Sequence, residues 1–267
     1  VGADSSTQFG MIAGAAGVGG SAGIGASAVV AVVDKTTHAY IGDGADVTAL
    51  GNSGSTVLAP DGSFNITFNN YGSGATFQPS SSTSDVKAGA GDLLTKQRTA
   101  TEHKSAISGV AVTATNKDTI QSIAAAGAAA GVAAIGVSGD VYVVTNNTSA
   151  FVGNGAQINQ GAGTVGSGQS VRIAAGDDFY HLGLAGSAAG AGAVGIGIGA
   201  DVSVVSNTTS AFVGYYDANY SGPVAKLKAN QDVSVAALAR EDLVTGAASA
   251  GVSGTVAAAG SASVVSV

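Results

Sequence analysis

The sequence predicts an all-β chain built as a β-solenoid, with a loop or hairpin inserted into its first repeat. Three observations carry that prediction: a recurring block, an apolar period of two, and a composition rich in glycine and poor in charge. The block Asp34–Gly42 (DKTTHAYIG) returns at Asn146–Gly153 (NNTSAFVG) and at Asn207–Gly214 (NTTSAFVG). Ala150 and Ala211 are 61 residues apart, whereas Ala39 and Ala150 are 111 apart, one period plus 50 inserted residues. Strand-like runs repeating at such a period mark a stacked array. That organisation points to a structural, surface-presenting protein.

Each element follows from local pattern. Gly20 to Val32, Gly131 to Val143 and Gly192 to Val204 alternate β-branched residues with small or polar ones, which is a strand signal. The expected register turns Val30, Val32, Val141, Val143, Val202 and Val204 into the core. Glycine on the alternate face weakens an isolated strand, and stacking of equivalent strands offsets this. The polar blocks are expected as turns, with Asn147, Thr148, Asn207 and Thr208 forming a structural turn ladder of stacked side chains. Second strands are expected at Val47–Leu50, Gln157–Asn159, Val110–Thr113, Val171–Ala174 and Val233–Ala236. Charged corners should follow at Asn116-Lys117-Asp118, Gly176-Asp177-Asp178 and Arg240-Glu241-Asp242. On this pattern each repeat holds three parallel coils of about 20 residues, with an up-and-down barrel as the alternative.

The insertion, residues 60–91, sets the first repeat apart. Pro60-Asp61-Gly62 reads as a turn, and Ser63 to Phe68 alternates like an edge hairpin strand. A smaller aromatic departure spans Tyr215 to Pro223. Insertions in stacked arrays emerge on the flank, frequently as the binding face, so both segments are expected to project. Aromatic residues dominate binding hot spots, which singles out Phe64, Phe68, Tyr71, Tyr215, Tyr216 and Tyr220. Phe64 and Phe68 have the alternative role of packing the loop's own core.

Composition narrows the function. The 267 residues carry 42 Gly, no Cys, no Trp and a net charge of −7, and only 10% are charged. A chain of that sign repels phosphate, which argues against nucleic acid as a partner. The abundance of β-branched residues opposes disorder, and the lack of Cys removes thiol chemistry and Cys-ligated metals. No linker interrupts the repeats, so residues 1–267 form one domain. The half-repeat Gly260–Val267 makes the chain look like a piece of a longer array.

Motifs for chemistry are weak. Gly190 to Gly195 spells a dinucleotide fingerprint but lacks a following helix, and no cofactor is expected. Ile41-Gly42-Asp43-Gly44-Ala45-Asp46 is similar to a calcium turn, but the equivalents at 153–157 and 214–217 do not keep it, so no metal site is expected. His38, His103 and His181 are scattered and read as surface turn residues. Asp177-Asp178 and Glu241-Asp242 read as wet corners rather than catalytic pairs. Met11 to Val33 is long enough to span a bilayer as a helix, but its period of two opposes that. No enzymatic activity is expected.

The Gly/Ala/Val runs followed by VVSNTTSAFVG or VVDKTTHAYIGDGADVTA resemble repeats of large filamentous adhesins of Gram-negative bacteria, the filamentous-haemagglutinin-like and leukotoxin-like exoproteins. The resemblance covers nearly all of the chain outside residues 60–91. It implies a right-handed parallel β-helix, export through an outer-membrane secretion partner or domain, and a secreted or cell-surface location. It further implies adhesion to a host or bacterial surface receptor, protein or glycan, or service as a rigid stalk. It supplies no catalytic residues. The rivals are a β-helical polysaccharide-processing enzyme and a membrane-inserting toxin module.

Overall fold

A computed structural model describes residues 1–70, 96–161, 163–214 and 221–267. The described residues form strands, turns and no helix. The long strands are β1 (Gly2–Gly19), β2 (Ala22–Ile41), β5 (Lys96–Ala130), β6 (Ala133–Val152), β8 (Gln169–Ala191), β9 (Val194–Val213), β11 (Val233–Ser253) and β12 (Val256–Ser266). Three two-residue strands, β3 (Asp46–Val47), β7 (Gln157–Ile158) and β10 (Lys226–Leu227), lie between them, and β4 (Val57–Asn70) is the insertion's own.

Equivalent residues of successive repeats stack in parallel. Sheet A runs β1-β5-β8-β11, sheet B runs β2-β6-β9-β12 and the short sheet C runs β3-β7-β10. The 61-residue period is the register itself: Ser108 pairs with Gln169, and Ala133 pairs with Val194. Across the insertion the offset is 111, as in Ala39 with Ala150. Each full repeat contributes one strand to each sheet, an arrangement consistent with a solenoid. The expected three coils of about 20 residues are therefore replaced by one circuit of two long strands and one short strand. Val110, Val171 and Val233 begin long strands rather than separate short ones.

The polar blocks are not turns. Asn147 and Thr148 lie inside β6, and Asn207 and Thr208 lie inside β9. Stacking does hold, with Asn146 on Asn207, Asn147 on Thr208 and Thr148 on Thr209. Asn147 and Thr208 face outward, whereas Thr148 faces inward. The chain turns instead at Gly44 and Gly155, at φ +67° and +70°, just before sheet C. Left-handed backbone there favours glycine.

The inward register is also the reverse of the one expected. Val32 is 73% exposed and Val143 38%, while Val29, Ala31, Tyr142, Val144, Ser203 and Val205 are buried. Sheets A and B approach so closely near their shared turns that only glycine, alanine and serine lie inside. A Cβ on Gly25 would stand 2.1 Å from the Gly127 carbonyl oxygen, and one on Gly197 2.4 Å from that of Ala250. Since backbone cannot retreat as a side chain can, the small alternate faces turn inward and the valines turn out. Farther from the turns the interior widens to hold Tyr142, Ile120 and Phe179, and it ends in an aliphatic core with Val112, Val152, Ile158 and Ile173 beneath sheet C.

Candidate functional site

The described part of the insertion folds down instead of projecting. Strand β4 pairs antiparallel with the first part of β5, confirming the expected hairpin strand, but Pro60-Asp61-Gly62 is a register shift within β4 and not its turn. Gly109, at φ +127°, marks where β5 leaves the hairpin and joins sheet A. The hairpin packs on the outer face of sheet A. Gly62 abuts Gly176 so closely that a Cβ on Gly176 would stand 2.3 Å from the Gly62 carbonyl oxygen. Phe68 packs with Tyr180, Leu182, Leu184 and Val244, while Phe64 is half-buried. Phe68 thus helps fasten the hairpin to the sheet beneath. Tyr71, Tyr215, Tyr216 and Tyr220 lie outside the described residues.

Arg98 is the polar fastening. Its guanidinium donates to both oxygens of Asp178, at 2.8 and 2.5 Å, and Nε donates to Asp242 at 2.9 Å. It also lies 5.3 Å from the Tyr180 ring centroid. Burial opposes its charge, but the two carboxylates outweigh that and raise its pKa above the ordinary arginine value. Asp178, read from sequence as a wet corner, is fully buried because the hairpin covers it.

Where the hairpin meets the starts of β8 and β11, a cleft of about 410 Å³ opens, lined by Asp61, Ser105, Ser108, Arg172, Gln231 and Asp232 among others. His103 Nδ1 lies 2.5 Å from Asp61 Oδ2. Burial alone would raise the Asp61 carboxyl, but hydrogen bonds from the Ser63 hydroxyl and amide and from His103 hold it below the ordinary value. Arg172 donates to the carbonyls of Ala59 and Ser105, at 3.2 and 3.3 Å, fixing a cation beside these hydroxyls and carboxylates. Such a lining offers hydroxyl, amide and carboxylate partners to a hydroxyl-rich ligand. Its residues come from four distant parts of the chain, so no sequence spacing announces it.

A second surface feature is an aromatic ladder on the outer face of sheet B. Tyr40, Phe151 and Phe212 stack at centroid distances of 5.1 and 4.9 Å with nearly parallel rings. The 61-residue recurrence of an aromatic after Ser-Ala was its available signal. Tyr40 is 55% exposed at the first-repeat end.

A further set of titratable groups is sealed between the sheets. Lys35 donates to Asp118 at 2.6 Å, and Asn146 and Asn116 donate to the same carboxylate at 2.8 and 2.9 Å. Asn116 and Thr148 each reach Asp177 at 3.2 Å. Burial pushes the Asp177 carboxyl up to about 6, with the Asp118 charge adding to it and the Asn116 and Thr148 bonds opposing. Deeper in, Ser122 donates to Asp140, and Ser263 to Asp201 at 3.2 Å. Burial raises the Asp140 carboxyl and takes that of Asp201 to about 6, the neighbouring Asp140 charge adding to the latter. His181, expected at a surface turn, is fully buried against Tyr142 and Ser203, and burial drives its pKa down to about 4. No group of three or more His, Cys, Asp and Glu placed to hold a metal occurs among the described residues. The Asp43 carboxylate of the calcium-like turn accepts the Asn154 amide at 2.9 Å. No described helix is long and apolar enough to cross a membrane.

No protein-family model, no curated protein and no solved structure matches this chain.

Proposed function

We propose that this chain is a structural and adhesive segment of an exported bacterial surface protein, wound as a right-handed parallel β-helix, that attaches to a protein or glycan receptor. The observation that carries this reading is the in-register stacking of successive repeats into parallel sheets, with a hairpin clamped to their flank. Stacked parallel sheets give a stiff support, and the cleft beside the hairpin supplies polar groups able to recognise sugar hydroxyls. Secretion through an outer-membrane partner belongs to the same proposal. Binding of the purified chain to glycan and matrix arrays tests it. Gln231→Ala/Asp232→Ala, two exposed lining positions, should lower attachment severalfold without altering the fold. A folded wild-type chain that attaches to nothing on cells or arrays would refute the adhesive reading. Asp61 and Asp232 line the same cleft, which keeps polysaccharide processing as the second reading; reducing-sugar release from a polysaccharide would favour it.

A further inference from the structure

Over residues 22–32 and their register equivalents, the outer face of sheet B is an unbroken aliphatic surface. On β2 its outward positions run from Ala22 through Ile24, Val30 and Val32, and on β6, β9 and β12 the register places their equivalents alongside. One such row is Val30, Val141, Val202 and Val264; another is Ile24, Ile135, Ile196 and Ala258. Over the six rows from Ala22 to Val32 every outward residue is Ala, Gly, Val or Ile except Ser266 at one corner. Ile24 is 68% exposed and Val264 54%, and even the central-strand Ile198 is 46% exposed. The described contacts of these strands run to one another and to the opposite sheet A, so no described element covers this face.

We propose that this face packs against the same face of a second copy of the chain. Eleven residues along the strand and four strands across make a surface of roughly 700 Å², at about 3.3 Å per residue and about 4.8 Å per strand. That is close to the ~800 Å² per partner of a standard stable interface, and it exceeds the apolar patch a monomer ordinarily exposes. Rows of β-branched residues on a parallel sheet interdigitate with an identical set, and a two-fold axis makes the patch its own complement. The border fits an interface as well: Asp34, Thr145 and Ser206 form the next row, a polar rim around an apolar centre. Lipid suits the face less. Over those six rows the face carries no Lys, Arg, Trp or Tyr to anchor it at a headgroup layer.

Sedimentation equilibrium across the micromolar range, with circular dichroism as the fold control, tests the proposal. The wild-type chain should show twice its 25.2 kDa mass. Val137→Lys/Val141→Lys, both pointing outward, should keep the strand spectrum and halve that mass. Val18→Lys, exposed on the outer side of sheet A, should remain dimeric. A monomeric wild type overturns the proposal. So does a double variant that still dimerises, which would move association to the open strand edges. Wild-type chain that floats with phosphatidylcholine vesicles while the double variant does not would assign the face to lipid instead.

Discussion

Asp177, Asp140 and Asp201 are carboxylates enclosed by protein, and their positions make stability depend on pH in an unusual direction. In each, burial raises the folded pKa above the ordinary carboxylate value, to about 6 for Asp177 and Asp201. A raised carboxyl binds its proton more tightly when folded, so it contributes stability below the unfolded value and loses it as pH rises through the folded one. His181 works in the opposite sense. Its pKa falls from 6.5 to about 4, so its contribution is present above 6.5 and is lost as pH falls through 4. Three raised carboxyls oppose one lowered imidazole, so the urea midpoint should rise as pH falls from 7 to 5. Asp177→Asn/Asp201→Asn should flatten that rise, and His181→Gln should steepen it. A midpoint that falls monotonically over this range would show that these carboxylates are solvated.

Packing of whole elements turns on two contacts. At Gly197, where sheets A and B converge, a Cβ would stand 2.4 Å from the Ala250 carbonyl oxygen, and backbone cannot move aside for a larger side chain. Gly197→Val should therefore prevent folding of the third repeat, read as loss of the cooperative thermal transition. Val202→Asp, on the outer face, should keep the strand fold and lose the dimer, whereas an inward valine would predict loss of the fold. The hairpin depends on Arg98. Removing one partner of a buried ion pair leaves the others desolvated and unpaired, at about 3–5 kcal/mol. Arg98→Ala should accordingly loosen the hairpin, with amide exchange accelerating in residues 98–107 ahead of β6 and β9. Equal protection in both regions would mean that apolar contacts such as Phe68 on Tyr180 hold the hairpin alone.

Across the molecule, a repeat of 61 residues advances the stack by a single strand. A 20-residue strand spans roughly 66 Å, whereas stacking four strands spans roughly 14 Å between the outer pair, so these four repeats are wider than they are tall. The interior changes along that width, from glycine backbone contact through a sealed polar band to aliphatic packing under sheet C. Some polar residues in the band are paired across repeats, as Lys35 is with Asp118 and Asn116 with Asp177, whereas Oδ1 of Asp140, Asp177 and Asp201 has no hydrogen-bond partner among the described residues. At Asp118 the Lys35 ammonium and the Asn116 and Asn146 amides are what permit charge in a closed core.

Periodicity alone determined the all-β class, the parallel stacking and the 61- and 111-residue registers, because identical residues in neighbouring repeats share one environment. The hairpin strand after Ser63 was legible for a similar reason, its alternation being local. The period of two also placed Val30 and Val202 on one face, but it could not say which face lay inside. Hydrophobicity favoured the valines, and only the separation of the two sheets decided for glycine. Likewise Asp118 and Asp178 read as solvated corners, since their partners Lys35 and Arg98 lie 83 and 80 residues away in sequence. The cleft beside Asp61 and the bare aliphatic face of sheet B exist through the same distant contacts. Spacing along a chain reports what repeats, whereas burial depends on which surfaces meet.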